Sequence, residues 1–114
     1  MGELKGKVLL LSSEGCGYGD AALGFEILVT LLDTLPERED RPIAIICWNT
    51  AVKLLAEGSP LLARLRRLEE EGVNILAGQL CVTELELAGK IAVGKAATMG
   101  EILDLILHND VVSL

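Results

Sequence analysis

The chain has 114 residues, of which 51% are hydrophobic and 3% aromatic, and 10 Lys and Arg against 17 Asp and Glu give a net charge of −7. This length fits one domain over residues 1–114, and the apolar fraction excludes intrinsic disorder. The acidic charge excludes a basic nucleic-acid surface, and no apolar run reaches the roughly 20 residues of a membrane-spanning helix. We therefore expect neither nucleic acid nor a membrane as a partner.

The first third of the chain predicts a strand, a loop and a helix. Lys7–Ser13 is a short apolar run typical of a strand buried on both faces. Glu14–Gly19 is a glycine-rich loop. Asp20 is a candidate N-cap for a helix that runs to about Leu35, where Pro36 ends it.

The middle of the chain repeats this order. Pro42–Trp48 predicts a second buried strand, and Asn49 is expected to cap a short helix that runs to about Glu57. Ser59 followed by Pro60 indicates the start of another helix, which Gly72 ends.

The last third predicts three more strands and two helical segments. A Thr98-to-Glu101 capping box indicates where the longer helix begins. The other elements are, in order, a strand at Val73–Ala77, a tight turn at Gly78–Leu80, a short helical segment at Cys81–Leu87, a fourth strand at Lys90–Val93 and a fifth at Asp110–Ser113.

The alternation of apolar runs with amphipathic segments indicates an α/β fold. We expect a three-layer α/β/α domain with a mostly parallel five-stranded sheet. In such folds the functional site lies at the carboxyl ends of the strands, so we expect its residues in the loops that follow them.

The chain has three cysteines, Cys16, Cys47 and Cys81, and their number and spacing indicate its redox environment. They include no close pair, and the polar segment Met1–Lys7 lacks the core of a signal peptide, so we expect a cytosolic protein with reduced thiols. Since His108 is the only histidine, we expect no metal site, and no cofactor is indicated.

Cys81 is the candidate catalytic residue. It follows the third strand near the start of a helical segment, where backbone N–H groups stabilise a thiolate, and Gly78 leaves room beside it. The alternative is a small buried hydrophobic residue. Glu84 and Glu86 follow and are either proton acceptors or simply residues of a polar face.

The glycine loop offers a second, weaker candidate. Gly15, Gly17 and Gly19 precede a helix and could hold an anion on backbone N–H groups, with Asn49 and Lys53 as possible ligand-binding residues from the next loop. The spacing is neither the dinucleotide fingerprint nor a Walker loop, and a tight turn is the simpler interpretation. Cys16, in the same loop, is a possible second thiol or an incidental one, whereas Cys47 is expected in the core.

The sequence resembles the DsrE/DsrF-like sulfur-relay family, and within it the DsrE-like domain of YedF-type selenium-metabolism proteins. The resemblance extends from about Lys7 to Val112. It is carried by Ser13-Glu14-Gly15, Gly17, Gly19-Asp20, Leu23-Gly24, Trp48-Asn49, Val52-Lys53-Leu54, Glu57-Gly58-Ser59, Leu65, Leu68, Glu71-Gly72-Val73, Ile75-Leu76, Cys81, Ala92-Val93-Gly94, Met99 and Glu101-Ile102.

This resemblance implies a small sulfur-relay or sulfurtransferase-like subunit that carries sulfane sulfur as a persulfide on Cys81 and exchanges it with donor and acceptor proteins. It also implies a homo-oligomer, a trimer or hexamer, which the excess of aliphatic residues favours independently. The YedF-type pattern has Cys-Gly-x-Cys where this chain has Gly78-Gln79-Leu80-Cys81, so the first cysteine is absent. The alternative function is an oligomeric, non-catalytic module that binds a small anionic ligand or nucleotide and has a vestigial thiol.

Overall fold

The computed structural model describes residues 6–114, and the first part of the polar N-terminal segment, residues 1–5, lies outside this range. The elements follow one another as strand and helix throughout. The strands are β1 (Lys7–Leu11), β2 (Ala44–Cys47), β3 (Asn74–Gly78), β4 (Lys95–Ala97) and β5 (Asp110–Ser113). The helices are α1 (Ala21–Thr34), α2 (Leu62–Glu70), α3 (Gln79–Glu84) and α4 (Met99–His108), with 3₁₀ segments at Leu35–Glu37 and Asn49–Leu55.

The five strands form one sheet in the order β4-β3-β2-β1-β5, and every neighbouring pair is parallel. Parallel neighbours need crossover connections, which the helices supply. The α/β prediction with a five-stranded sheet is therefore confirmed.

Each face of the sheet has its own apolar core. The larger core joins Ile45 and Ile75 to Leu28 and Leu32 of α1 and to α2. The smaller core lies on the other face, where α4 contributes Ile102. Helices on both faces make the three layers, because side chains alternate between the two faces along each strand.

Helix α1 begins as predicted, since Asp20 accepts a hydrogen bond from the backbone N–H of Leu23 at 3.0 Å. Its inward face consists of Gly24, Leu28 and Leu32. Leu23 and Ile27 lie outside, at 58% and 46% exposure. The helix therefore presents apolar side chains to solvent as well as to the core.

The predicted fourth strand at Lys90–Val93 is wrong, because β4 is Lys95–Ala97. The earlier segment instead folds over the 3₁₀ segment: the N–H groups of Ala92 and Val93 both donate to the carbonyl of Leu55. The chain enters the sheet only after Gly94, whose positive φ of 78° and contact with the Ile75 carbonyl leave no room for a side chain.

Two predicted helix starts are also displaced. Helix α2 begins at Leu62, since Ser59 and Pro60 form a turn in which the Ser59 hydroxyl accepts from the N–H of Leu61 at 3.1 Å. Helix α3 begins at Gln79, because β3 continues through Gly78 and no turn separates the two. The capping box at Thr98 and Glu101, by contrast, is present as predicted.

Candidate functional site

The carboxyl ends of three adjacent strands create the edge on which the candidate site lies. In the sheet, Leu11 of β1 aligns with Cys47 of β2, and Cys47 aligns with Ala77 of β3. The segments that follow these residues therefore leave the sheet side by side. This register brings the Trp48–Asn49 pair between the loop after β1 and the start of α3.

Cys81 lies at this edge as the third residue of α3 and is half-buried. Its Sγ atom accepts a hydrogen bond from the backbone N–H of Asn49 at 3.1 Å. Gly78 lies directly beneath: a Cβ atom there would be 3.5 Å from Sγ and 3.4 Å from Cβ of Trp48. The structure thus brings together three residues singled out in the sequence, Cys81, Asn49 and Gly78.

Asn49 contributes its backbone rather than its side chain. The predicted role as a helix cap is wrong, because Trp48 occupies the cap position and no side chain caps the 3₁₀ segment. Asn49 has a φ of 52°, in the left-handed region that asparagine tolerates better than most residues. This conformation is part of the turn in which its N–H reaches the sulfur of Cys81.

Trp48 is a site residue that sequence reasoning missed. Its indole Nε1–H donates to the Ser12 hydroxyl at 3.1 Å, which ties the end of β2 to the loop after β1. The ring is half-buried against the smaller core and also lines the surface beside Cys81. The sequence feature that could have identified it is its position, since the one tryptophan of the chain follows directly after a buried apolar run.

A shallow depression of about 370 Å³ opens over the sulfur, and we call it the Cys81 depression. It is mainly apolar, and Leu80 on its rim is 69% exposed. Its lining residues are Trp48, Asn49, Leu80, Cys81, Glu84 and Leu85. A reagent can therefore reach the thiol from solvent through an opening bounded mostly by carbon.

The glycine loop is built around a close approach to α1. The backbone N–H of Cys16 donates to the carbonyl of Gly24 at 3.0 Å. A Cβ atom on Gly15 would lie 2.9 Å from the carbonyl carbon of Gly24, and one on Gly24 would lie 3.0 Å from the Cys16 carbonyl oxygen. Two glycines thus let loop and helix touch through their backbones, and the N–H of Cys16 is committed to this contact.

The remaining predicted residues lie around this edge in different environments. Gly17 and Gly19 have positive φ values of 78° and 109°, which shape the loop before α1. Lys53 is exposed on the 3₁₀ segment and does not line the Cys81 depression. Anion binding by these residues and by Asn49 stays a prediction.

The other two thiols are less reactive by environment. Cys16 is half-buried against the larger core, and burial raises the pKa of its thiol. Cys47 is buried in the middle of the sheet, as predicted, and burial raises the pKa of its thiol to about 12. In both thiols burial disfavours the thiolate, which is the nucleophilic form of cysteine.

A larger depression of about 540 Å³ lies on the outer face of α1. It holds no cysteine or histidine, so we place the candidate site at Cys81 rather than there. Its lining residues are Leu23, Glu26, Ile27, Thr30, Leu31, Thr34, Leu35 and Arg38.

Metal sites and membrane-spanning helices are both absent from residues 6–114. Within that range, no three His, Cys, Asp or Glu side chains gather closely enough to hold a metal ion. None of the helices there combines the length and the apolar character needed to cross a bilayer.

Comparisons with known proteins give a likeness at the level of structure. No protein-family model and no curated protein matches the sequence. Among solved structures, the YchN protein of E. coli is 16% identical with a TM-score of 0.71, and the alignment covers 96% of this chain and 99% of that one.

Two other solved structures are proteins of unknown function. BT1422 of Bacteroides thetaiotaomicron is 22% identical with a TM-score of 0.68, covering 95% of this chain and 94% of that one. MTH1491 of Methanobacterium thermoautotrophicum is 12% identical with a TM-score of 0.68, covering 95% and 97%. At these identities the likeness concerns the fold alone, and the chain has the DsrE/DsrF-like α/β fold.

Proposed function

We propose that this protein is a sulfur-relay subunit that carries sulfane sulfur as a persulfide on Cys81. The observation that carries the proposal is the position of Sγ, which lies in an open depression at the carboxyl edge of the sheet and accepts the N–H of Asn49 at 3.1 Å. The DsrE/DsrF-like fold supports it. Within that fold we propose the YedF-type domains as the nearest group, on the sequence resemblance.

The chemistry needs one nucleophilic sulfur and no change of net oxidation state. The Cys81 thiolate attacks the outer sulfur of a donor persulfide, R–S–SH, the donor S–S bond breaks and the donor thiolate leaves. Cys81 then holds the group as S–SH, and an acceptor thiolate takes the outer sulfur by the same step. A backbone N–H directed at Sγ stabilises the anion in both directions.

Mass spectrometry tests this directly. Incubation with a persulfide donor is expected to add the mass of one sulfur atom to the protein and to the peptide that contains Cys81. The Cys81→Ser variant is expected to stay unmodified, whereas Cys16→Ser, the matched control, is expected to load as the parent does. An unchanged mass, or an adduct that survives Cys81→Ser, overturns the proposal.

We also propose that the protein works as a homo-oligomer, a trimer or hexamer, in the reducing cytosol. Exposed apolar side chains support an interface: Leu23 and Ile27 on α1, and Met99, Leu103 and Leu107 spaced four residues apart on α4. The three cysteines are free thiols. Light scattering at micromolar concentration tests the assembly, and a monomer would contradict it.

A further inference from the structure

The wall of the Cys81 depression carries one formal charge. Its six lining residues comprise three large apolar side chains, an asparagine, the cysteine itself and Glu84. A small charged reagent approaching the sulfur therefore meets carbon surface and one carboxylate, with no Lys, Arg or His among the lining residues to offset it.

Glu84 is close to the sulfur because of its spacing on α3. Residues three apart in a helix lie on the same face with Cβ atoms about 5–6 Å apart, and Cys81 and Glu84 have that spacing. This separation is shorter than the Debye length of about 8 Å at physiological ionic strength. The carboxylate therefore acts on any charge that reaches the thiol.

The carboxylate of Glu84 also forms no ion pair within residues 6–114. The ion pairs in that range join Lys7 to Asp110 and link three arginines to Asp33, Glu37 and Asp40, and none includes Glu84. Lys53, the cation that the sequence suggested for this edge of the sheet, does not line the depression. Glu84 thus lines the opening without an ion-pair partner among the described residues.

Resting on the proposed persulfide chemistry of Cys81, we propose that Glu84 makes the site selective by charge. It favours a neutral or cationic sulfur donor and disfavours an anionic one. The donor class is then a persulfide whose group next to the sulfur is uncharged or positive, whether a small amine or the basic surface of a protein. In the transfer, the outer sulfur moves to Cys81 and the donor leaves as its thiolate. Small sulfonate or carboxylate persulfides are poor donors.

Two methanethiosulfonate reagents of similar size measure the selectivity without any persulfide. One carries an ethyltrimethylammonium group and the other an ethylsulfonate group. In each case Sγ attacks the sulfenyl sulfur, a disulfide forms and methanesulfinate leaves. Rate constants at Cys81 are read by peptide mapping, so that modification at Cys16 is counted separately.

The rate constant of the cationic reagent divided by that of the anionic reagent is expected to fall about tenfold in Glu84→Gln at low salt. A reagent charge near 6 Å from the carboxylate in water changes each rate constant about threefold, upward for the cation and downward for the anion. Glu84→Lys is expected to invert the preference, and added salt is expected to reduce the parent's ratio. Glu70→Gln removes the same charge from the exposed surface of α2 and is expected to leave the ratio unchanged. A ratio that is equal in the parent and Glu84→Gln overturns the inference.

Persulfides of cysteamine and of 2-mercaptoethanesulfonate separate this inference from the proposed function. Sulfur relay expects Cys81 to be loaded, and charge selectivity expects the cationic persulfide to load it faster in the parent, with the difference reduced in Glu84→Gln. If neither persulfide loads Cys81 while the reagent ratio responds to Glu84, sulfur relay is overturned and charge selectivity holds. If both load at rates independent of Glu84, sulfur relay holds and the selectivity is overturned.

Addition of a basic peptide persulfide tests a protein-borne donor, and a rate below that of the sulfonate persulfide also overturns the selectivity.

Discussion

The backbone N–H of Asn49 and the Sγ atom of Cys81 are 3.1 Å apart, although 32 residues separate them along the chain. Asn49 follows β2 and Cys81 follows β3, so the hydrogen bond exists only because these strands are neighbours in the sheet. It holds the sulfur at the mouth of the Cys81 depression. The left-handed backbone of Asn49, with φ of 52°, is the feature of this contact most open to mutation.

Asn49→Val and Asn49→Gly form a matched pair that tests this contact. Valine is expected to cost about 1–2 kcal/mol in the free energy of unfolding, because a β-branched residue clashes in the left-handed conformation. If the turn relaxes, the N–H leaves the sulfur and the iodoacetamide rate at Cys81 falls. Glycine adopts the same φ freely, so both the unfolding energy and the rate are expected near those of the parent. Equal values for the valine and glycine variants would contradict this account.

The three thiols are expected to react with iodoacetamide in the order Cys81, then Cys16, then Cys47, near pH 8 in the native protein. The order follows from access through the depression at Cys81, from burial that raises the pKa of Cys16, and from a pKa of about 12 at Cys47. Timed quenching and peptide mapping measure the three rates, and the urea-unfolded chain, where all three are exposed, is the control. Faster native modification of Cys16 than of Cys81 would contradict the assignment of the nucleophile.

Burial of Cys47 also predicts a loss of stability at alkaline pH. The pKa of its thiol is raised from an ordinary 9.0 to about 12, so between these values the unfolded chain releases a proton that the native protein keeps. The unfolded state then binds fewer protons, and the free energy of unfolding falls by about 1.4 kcal/mol per pH unit in this window. Below about pH 9 the contribution is complete and constant.

Urea titrations at several alkaline pH values measure that slope. Cys47→Ala has no group to titrate, so its free energy of unfolding is expected to fall less steeply above pH 9, although the variant starts lower because it leaves a small cavity. All other residues are common to the two proteins, so the comparison isolates the contribution of Cys47. Parallel slopes for the two proteins would show that the buried thiol does not set the alkaline limit.

Gly15→Ala is expected to destabilise the protein by about 1–3 kcal/mol, because the added Cβ would lie 2.9 Å from the backbone of Gly24 and neither element can move without separating loop and helix. Gly100→Ala is the matched control. It lies near the start of α4 with only the Thr98 hydroxyl at 3.8 Å, and alanine there is expected to add about 0.5–1 kcal/mol. Urea unfolding measures the change in the free energy of unfolding for both variants. If Gly15 serves only as a ligand-binding residue, Gly15→Ala does not destabilise the protein.

Local signals in the sequence were sufficient for most of the fold. Asp20, the capping box at Thr98 and the apolar runs at β1 to β3 act within a few residues, and the elements they predict are present. The misplaced fourth strand was decided by competition from a distant backbone group. Ala92 and Val93 read as a strand, but the Leu55 carbonyl takes their N–H groups.

In the candidate site, too, local sequence features and tertiary contacts determine different things. The sequence by itself determined that a cysteine follows the third strand, that Gly78 precedes it and that the chain is acidic and rich in aliphatic residues. Only the tertiary structure decided that Asn49 serves the thiol through its backbone, that Trp48 and Glu84 share its depression, and that Gly15 is engaged with α1. Residue types and short spacings determine local elements through nearby backbone hydrogen bonds. The register of parallel strands, which depends on packing across the whole sheet, determines which loops meet at the sulfur.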